Sequence, residues 1–288
     1  MKYGVVFPQT EYGNDPQAIK DYAQTAEGLG YDYSLVYDHV LGAHPDRLPG
    51  LTGPYTNAHP FHEPMVLFGF LAAVTTGLEL VTGILILPQR QTALVAKQTA
   101  AVDVLSGGRL RLGIGIGWNY VEYDALGKNF RTRGRQVEEQ IEVLRKLWTQ
   151  PLVTHQTDDH NIDNAGILPL PVQRPIPIWF GGVAEPVLQR AARLGDGWMP
   201  AGRLPDDEMR GHLERLRGYL NDAGRDPQSF GIDPWISILD LSQDVWRQRV
   251  EAWRGLGATH VAIDTMRAGF KTPQEHMAAI RDFRNVLD

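Results

Sequence analysis

The sequence predicts an α/β chain folded as one (β/α)8 barrel, a TIM barrel. Strand-like and helix-like segments alternate almost from end to end, and eight such pairs can be read along the chain. A chain of 288 residues holds eight pairs more readily in a closed barrel than in an open doubly wound sheet. Barrels of about 250 residues commonly form one domain, so residues 1–288 are read as a single unit.

The first strand covers 3–7, YGVVF. A helix over 15–29 follows, with Ala18, Ile19, Tyr22, Ala26 and Leu29 at helical spacing and Gly30 just past its end. The second strand, 33–37, opens into a loop over 41–62 rich in Gly, Pro and His, longer than a simple connection needs. Helix 64–76, strand 78–87, helix 92–105, strand 110–116 and the long helix 131–149 come next. Residues 151–175 hold several prolines and read as an irregular insertion over one face, placed with the long loop at the C-terminal face of the barrel. The remaining units are strand 176–180, helix 185–194, strand 197–200, helix 206–223, strand 231–239, helix 244–256, strand 259–264 and helix 273–286.

Composition narrows the function classes. A formal charge of −6 argues against a nucleic-acid surface, which needs a clustered basic face. With no cysteine, disulfides, thiolate metal sites and cysteine nucleophiles are excluded, and a reducing, cytoplasmic setting is expected. The N-terminal apolar run before Pro8 is too short for a secretory signal. Residues 65–87 are apolar enough in count to span a bilayer, but Glu79 and the Thr75-Thr76-Gly77 break make them a helix followed by a strand.

In such a barrel, chemistry sits at the C-terminal ends of the strands. Tyr37-Asp38-His39 ends the second strand, and a histidine there can exchange protons near neutral pH or bond a bound ring; packing against backbone is the alternative. Gly113, Gly115 and Gly117 recur every second residue, which does not match the G-x-G-x-x-G dinucleotide pattern. They leave one strand face bare, either for something flat or for close packing. Gly181-Gly182 precede a helix with Pro186 in its first turn, a source of free amides for phosphate or a simple tight turn. Gly83 inside a strand suggests a bulge. His59, His62 and Glu63 in HPFHEP match no metal-ligand spacing, Asp158-Asp159-His160 reads as solvated loop, and no metal site is expected.

The segments YDHV, ELVTGILILPQR, QTAAVDVLSGGRLRLGIGIGWNYVEYDALG and PIWFGGVAEPVLQRAARLGDGW occur in this order across nearly the whole chain. Together they resemble the luciferase-like flavin and deazaflavin oxidoreductases, most closely the branch described as coenzyme F420-dependent. The resemblance implies that Asp38 and His39 form an acid–histidine pair near the cofactor ring and its chain. It implies that Gly83-Ile84 is a bulge, often with a non-proline cis peptide, that props the ring, with Gly115, Gly117 and Trp118 beside it. Gly181 and Gly182, with Trp198 and Pro200 as neighbours, match the phosphate-side loop. Some sugar-phosphate dehydrogenases of the family carry a glutamate acid where this chain has Trp118, so their mechanism does not transfer whole, and Glu122 further along is read as structural.

The expected activity is therefore hydride transfer between F420 and a small organic substrate. Tyr55, His59 and His62 of the long loop are expected to cover that substrate. Two other readings stand beside it: an FMN-dependent monooxygenase using reduced flavin and oxygen, and a non-catalytic cofactor-binding barrel. A metal-dependent barrel hydrolase would need H-x-H at the end of the first strand, where this chain reads VVFPQ. Relatives are often dimers, and helix 64–76 could serve a homodimer.

Overall fold

The structure is a computed structural model and describes residues 1–47, 53–239 and 241–287. Residues 48–52 of the predicted long loop lie outside the described residues. The barrel strands and helices begin with β1 (Lys2–Val6), α1 (Pro16–Gly28), β2 (Tyr33–Val36), α2 (Pro64–Val74), β3 (Glu79–Thr82), β4 (Leu85–Ile86), α3 (Thr92–Ser106) and β5 (Leu110–Gly115). Two further helices, α4 (Tyr120–Ala125) and α5 (Arg133–Thr149), lead to the short strands β6 (Val153–Gln156) and β7 (Asn161–Ala165). The chain then runs β8 (Ile178–Gly181), α6 (Glu185–Leu194), β9 (Gly197–Met199), α7 (Asp207–Asp222), β10 (Gly231–Ile232), β11 (Trp235–Ser237), α8 (Gln243–Leu256), β12 (His260–Asp264) and α9 (Pro273–Leu287).

All pairings in the large sheet are parallel, in the order β10-β9-β8-β5-β3-β2-β1-β12-β11, with β4 also on β5. The two ends of that order belong to one interrupted strand. The Asp233 amide donates to Trp198 at 2.9 Å, while the amides of Thr259 and Ala262 donate to Ile232 and Pro234, both at 3.0 Å. Pro234 has no N–H to give, so the strand changes partner there and the barrel closes through it. The predicted strands 78–87 and 231–239 are thus each broken, the first at Gly83-Ile84 and the second at Asp233-Pro234.

Strand alternation sorts the apolar residues into two compartments. Val5, Val36 and Leu80 face outward, where they pack under the helices. Val6, Leu35, Val81, Trp179, Met199 and Ala262 fill the barrel interior with Tyr33 and Tyr37. Helix starts follow side-chain capping: Asp15 accepts from Gln17, Glu63 from Val66, Asn119 from Val121 and Asp206 from Met209. Among the described residues, no helix is long and apolar enough to cross a membrane.

The insertion at 151–175 differs from its reading. It contains the antiparallel hairpin β6–β7 and lies along the flank of the helix layer rather than over the mouth. His160 touches Thr92 of α3 at 2.6 Å, and Gln173 bonds Asp103 of the same helix through backbone and side chain at 2.9 and 2.7 Å. A polar sequence masks this hairpin, since most of its strand residues are exposed and only Val153, His155 and Ile162 are buried or half-buried.

A buried ion pair lies deep inside the barrel. Arg111 is 2% exposed, bonds Asp233 at 2.8 Å and Glu79 at 3.2 Å, and stacks on Trp179 and Tyr33 at 4.3 and 4.7 Å. Tyr33 also donates its hydroxyl to Asp233. Glycine makes the space: a Cβ on Gly197 or Gly231 would stand 2.2 or 2.1 Å from the Trp179 ring. Arg111→Ala leaves Asp233 buried and unpaired, so a loss of about 3–5 kcal/mol is expected. Urea unfolding checks this, and a variant with the wild-type midpoint would show that the pair does not support the barrel.

Candidate active site

Past β2 the chain continues into the barrel mouth as Tyr37, Asp38 and His39, each aimed differently. The Tyr37 ring stays inside the barrel, 5.8 Å from the Trp235 ring. Asp38 is buried, and both its oxygens are engaged: Oδ2 accepts the Ile86 amide at 2.9 Å and Oδ1 accepts Arg90 at 2.8 Å. Arg90 also reaches Glu63 at 2.8 Å. Asp38 therefore ties together the end of β2, the segment after β4 and the start of α2, rather than offering its carboxylate to the pocket.

His39 turns to Glu122, with Nδ1 at 3.1 Å from Oε1 and 3.3 Å from Oε2. Glu122 is wholly buried and also accepts the amides of Val40 at 2.8 Å and Leu41 at 3.2 Å and the Gln89 side chain at 3.1 Å. Burial alone would raise its carboxyl, but the bonds from His39, Gln89 and Leu41 hold it below the usual glutamate value. An ionised carboxylate accepts only, so Nδ1 of His39 carries the proton and the other ring nitrogen of the neutral imidazole is an acceptor.

The long loop, with Trp118 after β5, builds an aromatic box around that imidazole. Ring centroids of Phe61, Tyr55 and Trp118 stand 4.9, 5.3 and 5.7 Å from His39. His59 joins through Tyr55 at 5.7 Å, its Nδ1 accepting the Thr56 amide at 3.0 Å. A cavity of about 60 Å³ opens here, lined by His39, Leu41, Tyr55, His59, Phe61 and Asn119 among others. Gln9 pins the loop, taking the His62 amide at 3.3 Å and donating to the Tyr37 carbonyl at 2.7 Å. His59, His62 and Glu63 do not converge on one point, since Glu63 is spent on the α2 cap and Arg90.

The glycine face carries an occupant. The Gly83-Ile84 peptide is cis, and the Ile84 side chain reaches across to β5 and β8. A Cβ on Gly115 or Gly181 would lie 2.5 or 2.4 Å from Ile84, and one on Gly117 2.8 Å from Ile86. The bare face thus seats isoleucines, and the partly exposed Ile84 forms the floor of the mouth. At the far end, Gly181, Gly182 and Val183 are also partly exposed, and Gly182 has φ +115°. Trp198 is fully buried and donates its indole N–H to the Gly182 carbonyl at 2.6 Å, so it supports that loop from behind. Pro200 is buried at the end of β9. Beside them, Val183, Gly202, Arg203, Leu204 and Asp206 line a cavity of about 220 Å³.

These residues fit an elongated ligand with a flat apolar head and an anionic tail. Ile84, Gly117, Trp118 and Tyr55 offer an apolar and aromatic surface; the Gly182 amide, expected to be free for phosphate, is spent on the Met199 carbonyl at 3.2 Å, so an anion there would rest on the α6 start, which has no capping side chain, and on Arg203. Sequence reading passed over Phe61, Gln9, Arg90 and Asp264, and took Glu122 as structural. Asp264 ends β12, accepts the Tyr37 hydroxyl at 3.3 Å and the Met266 amide at 2.9 Å, and burial pushes its carboxyl up to about 6. Only its place at a barrel-strand end marked it in the sequence.

A family model for the luciferase-like monooxygenases matches residues 1–284, and the chain belongs to that family. An uncharacterized protein of Mycobacterium tuberculosis is 36% identical over 212 residues, 70% of this chain and 71% of that one. The FMNH2-dependent dimethylsulfone monooxygenase of Pseudomonas fluorescens is 32% identical over 239 residues, 82% of this chain and 61% of that one. Among solved structures, an F420-dependent secondary alcohol dehydrogenase in complex with an F420-acetone adduct aligns with a TM-score of 0.79 at 18% identity, over 99% of this chain and 97% of that one. The family is one of oxidoreductases, with both F420-dependent and FMN-dependent neighbours.

Asp264 supplies a test of the mouth's electrostatics. Its carboxyl rises from 3.8 to about 6 in the fold, so the ionised form is disfavoured there. The penalty is absent below the unfolded value and complete above the folded one. Asp264→Asn should match wild type near pH 3.5 and exceed its stability by up to roughly 2–3 kcal/mol at pH 7. Parallel urea titrations across that range check it, and a difference independent of pH would contradict the assignment.

Proposed function

We propose that this protein is an F420-dependent oxidoreductase acting on a small organic alcohol or carbonyl compound held in the aromatic box at the barrel mouth. The observation that carries the reading is the His39–Glu122 pair, a buried carboxylate orienting an imidazole inside that box. When bound, a deazaflavin supplies a hydride to a substrate carbon or takes one from it. Ile84 and Trp118 would hold the ring, and the turn at Gly182-Val183 leading into α6, with Arg203, its phosphate-bearing chain.

The protein's own part is to move a proton and exclude water. With Nδ1 bonded to Glu122, neutral His39 turns its free nitrogen toward the box, where it can take the proton of a substrate hydroxyl. In the reverse direction the imidazolium, steadied by Glu122, returns that proton to a carbonyl oxygen. Tyr55, Phe61 and Trp118 limit solvent around the transfer. Asp38 acts by position, fixing Arg90 and the Ile86 amide behind the Ile84 floor. Val66 and Phe70 leave α2 with an apolar outer face, 73% and 38% exposed, and this face is proposed to pair two copies.

The second reading keeps the site and replaces F420 with FMN; the 32% identity to a dimethylsulfone monooxygenase favours it. Paired fluorescence titrations of the ligand-free protein with F420 and FMN separate the two. Tight F420 binding with negligible FMN binding is expected; the reverse would move the assignment to flavin monooxygenase chemistry. Binding without turnover of any alcohol or carbonyl compound would favour a non-catalytic barrel. Once a substrate is found, His39→Ala should lower kcat by roughly 10²–10⁴-fold with cofactor affinity retained. Unchanged turnover would remove His39 from the mechanism.

A further inference from the structure

The sequence reading expects no metal site, yet the fold gathers two imidazoles and a carboxylate on its flank. His155 of β6 places Nε2 3.2 Å from Oε1 of Glu139 on α5. His160, at the start of β7's approach, places Nδ1 2.8 Å from the same oxygen. The three ligand atoms lie within 4.8 Å of one another, and the two histidine side chains are only 9% and 12% exposed. The Thr157 hydroxyl also donates to this oxygen, so three donors crowd on one acceptor.

The surroundings suit a cation. Glu142 lies 3.8 Å from Nδ1 of His155, and Lys146 sits 3.1 Å from that nitrogen and 2.6 Å from Glu142. Nε2 of His160 meets Thr92 Oγ1 at 2.6 Å, the kind of outer contact that orients a ligating imidazole. Around a tetrahedral ion with bonds of about 2.0–2.1 Å, ligand atoms stand about 3.3 Å apart, which small side-chain shifts would reach from the present separations.

We infer that Glu139, His155 and His160 form a binding site for one borderline divalent cation, Zn²⁺ fitting best, which clamps the β6–β7 hairpin to α5 and α3. Two imidazoles with one carboxylate favour Zn²⁺ or Co²⁺ over the oxygen-preferring Ca²⁺ and Mg²⁺. Three protein ligands leave the fourth position to solvent. The site is independent of the cofactor reading, and its bond network continues inward: Gln140 donates to Thr92 Oγ1 at 3.1 Å and to the Arg90 carbonyl at 3.1 Å.

The test uses untagged full-length protein stripped with chelator and titrated calorimetrically with ZnCl₂. One equivalent should bind with micromolar or tighter affinity, Co²⁺ should give the visible bands of a tetrahedral ion, and Zn²⁺ should raise Tm. Glu139→Gln should weaken binding at least tenfold, and the His155→Ala/His160→Ala double variant should lose both binding and the Tm rise. If the double variant does not fold, His160→Gln alone should still weaken binding at least tenfold. No uptake by the wild type, or unchanged affinity in the variants, would overturn the site.

Discussion

The barrel depends on a charge at its centre. Arg111 fills the interior between Tyr33 and Trp179, and it is tolerable there because Asp233 and Glu79 answer its charge. Its partner stands where β10 gives way to β11, so the same ion pair marks the join that closes the sheet. Burial and the neighbouring Arg111 charge bring His260 down to about 2, which keeps the layer free of a second buried cation. Above this layer sit Val81, Met199 and Tyr37, and above them the mouth.

The mouth is assembled by polar ties between segments that the barrel places side by side. Asp38 and Arg90 join β2 to the stretch after β4 and to α2. Glu122 holds the chain leaving β2 through two backbone amides while orienting His39. Gln9 joins the loop after β1 to Tyr37 and His62. Asp38, Glu122 and Gln9 are each buried and each bond two or more partners, which favours a single arrangement. The aromatic box is a consequence: Tyr55, Phe61 and Trp118 enclose His39 because their loops are held at both ends.

Much of this was legible in the sequence. Periodicity placed the eight strand–helix pairs, because half-buried strands and amphipathic helices carry different repeats. His39 was marked by its place at a strand end, and Gly83-Ile84 by glycine inside a strand. What escaped had ordinary explanations nearby. Glu122 follows Asn119 at capping-box spacing, and only the fold shows that it reaches past its own helix to His39. Gly115 and Gly117 read as a bare face, but which strand lies beside them cannot be told from sequence, so the Ile84 and Ile86 side chains against them were invisible. Asp38 looked free because its partner, Arg90, is 52 residues away. His155 and His160 lie on a short polar hairpin whose packing against α5 leaves no periodic trace.

The strip from His39 across Ile84 to Gly182 is proposed to hold a flat-ringed cofactor with an anionic tail. A crystal structure of the protein soaked with F420 tests it most directly. Ring density is expected against Ile84 and Trp118, with the phosphate beside Gly182-Val183 and Arg203. Density for the ring elsewhere on the barrel, or a tail lying away from Gly182, would contradict it.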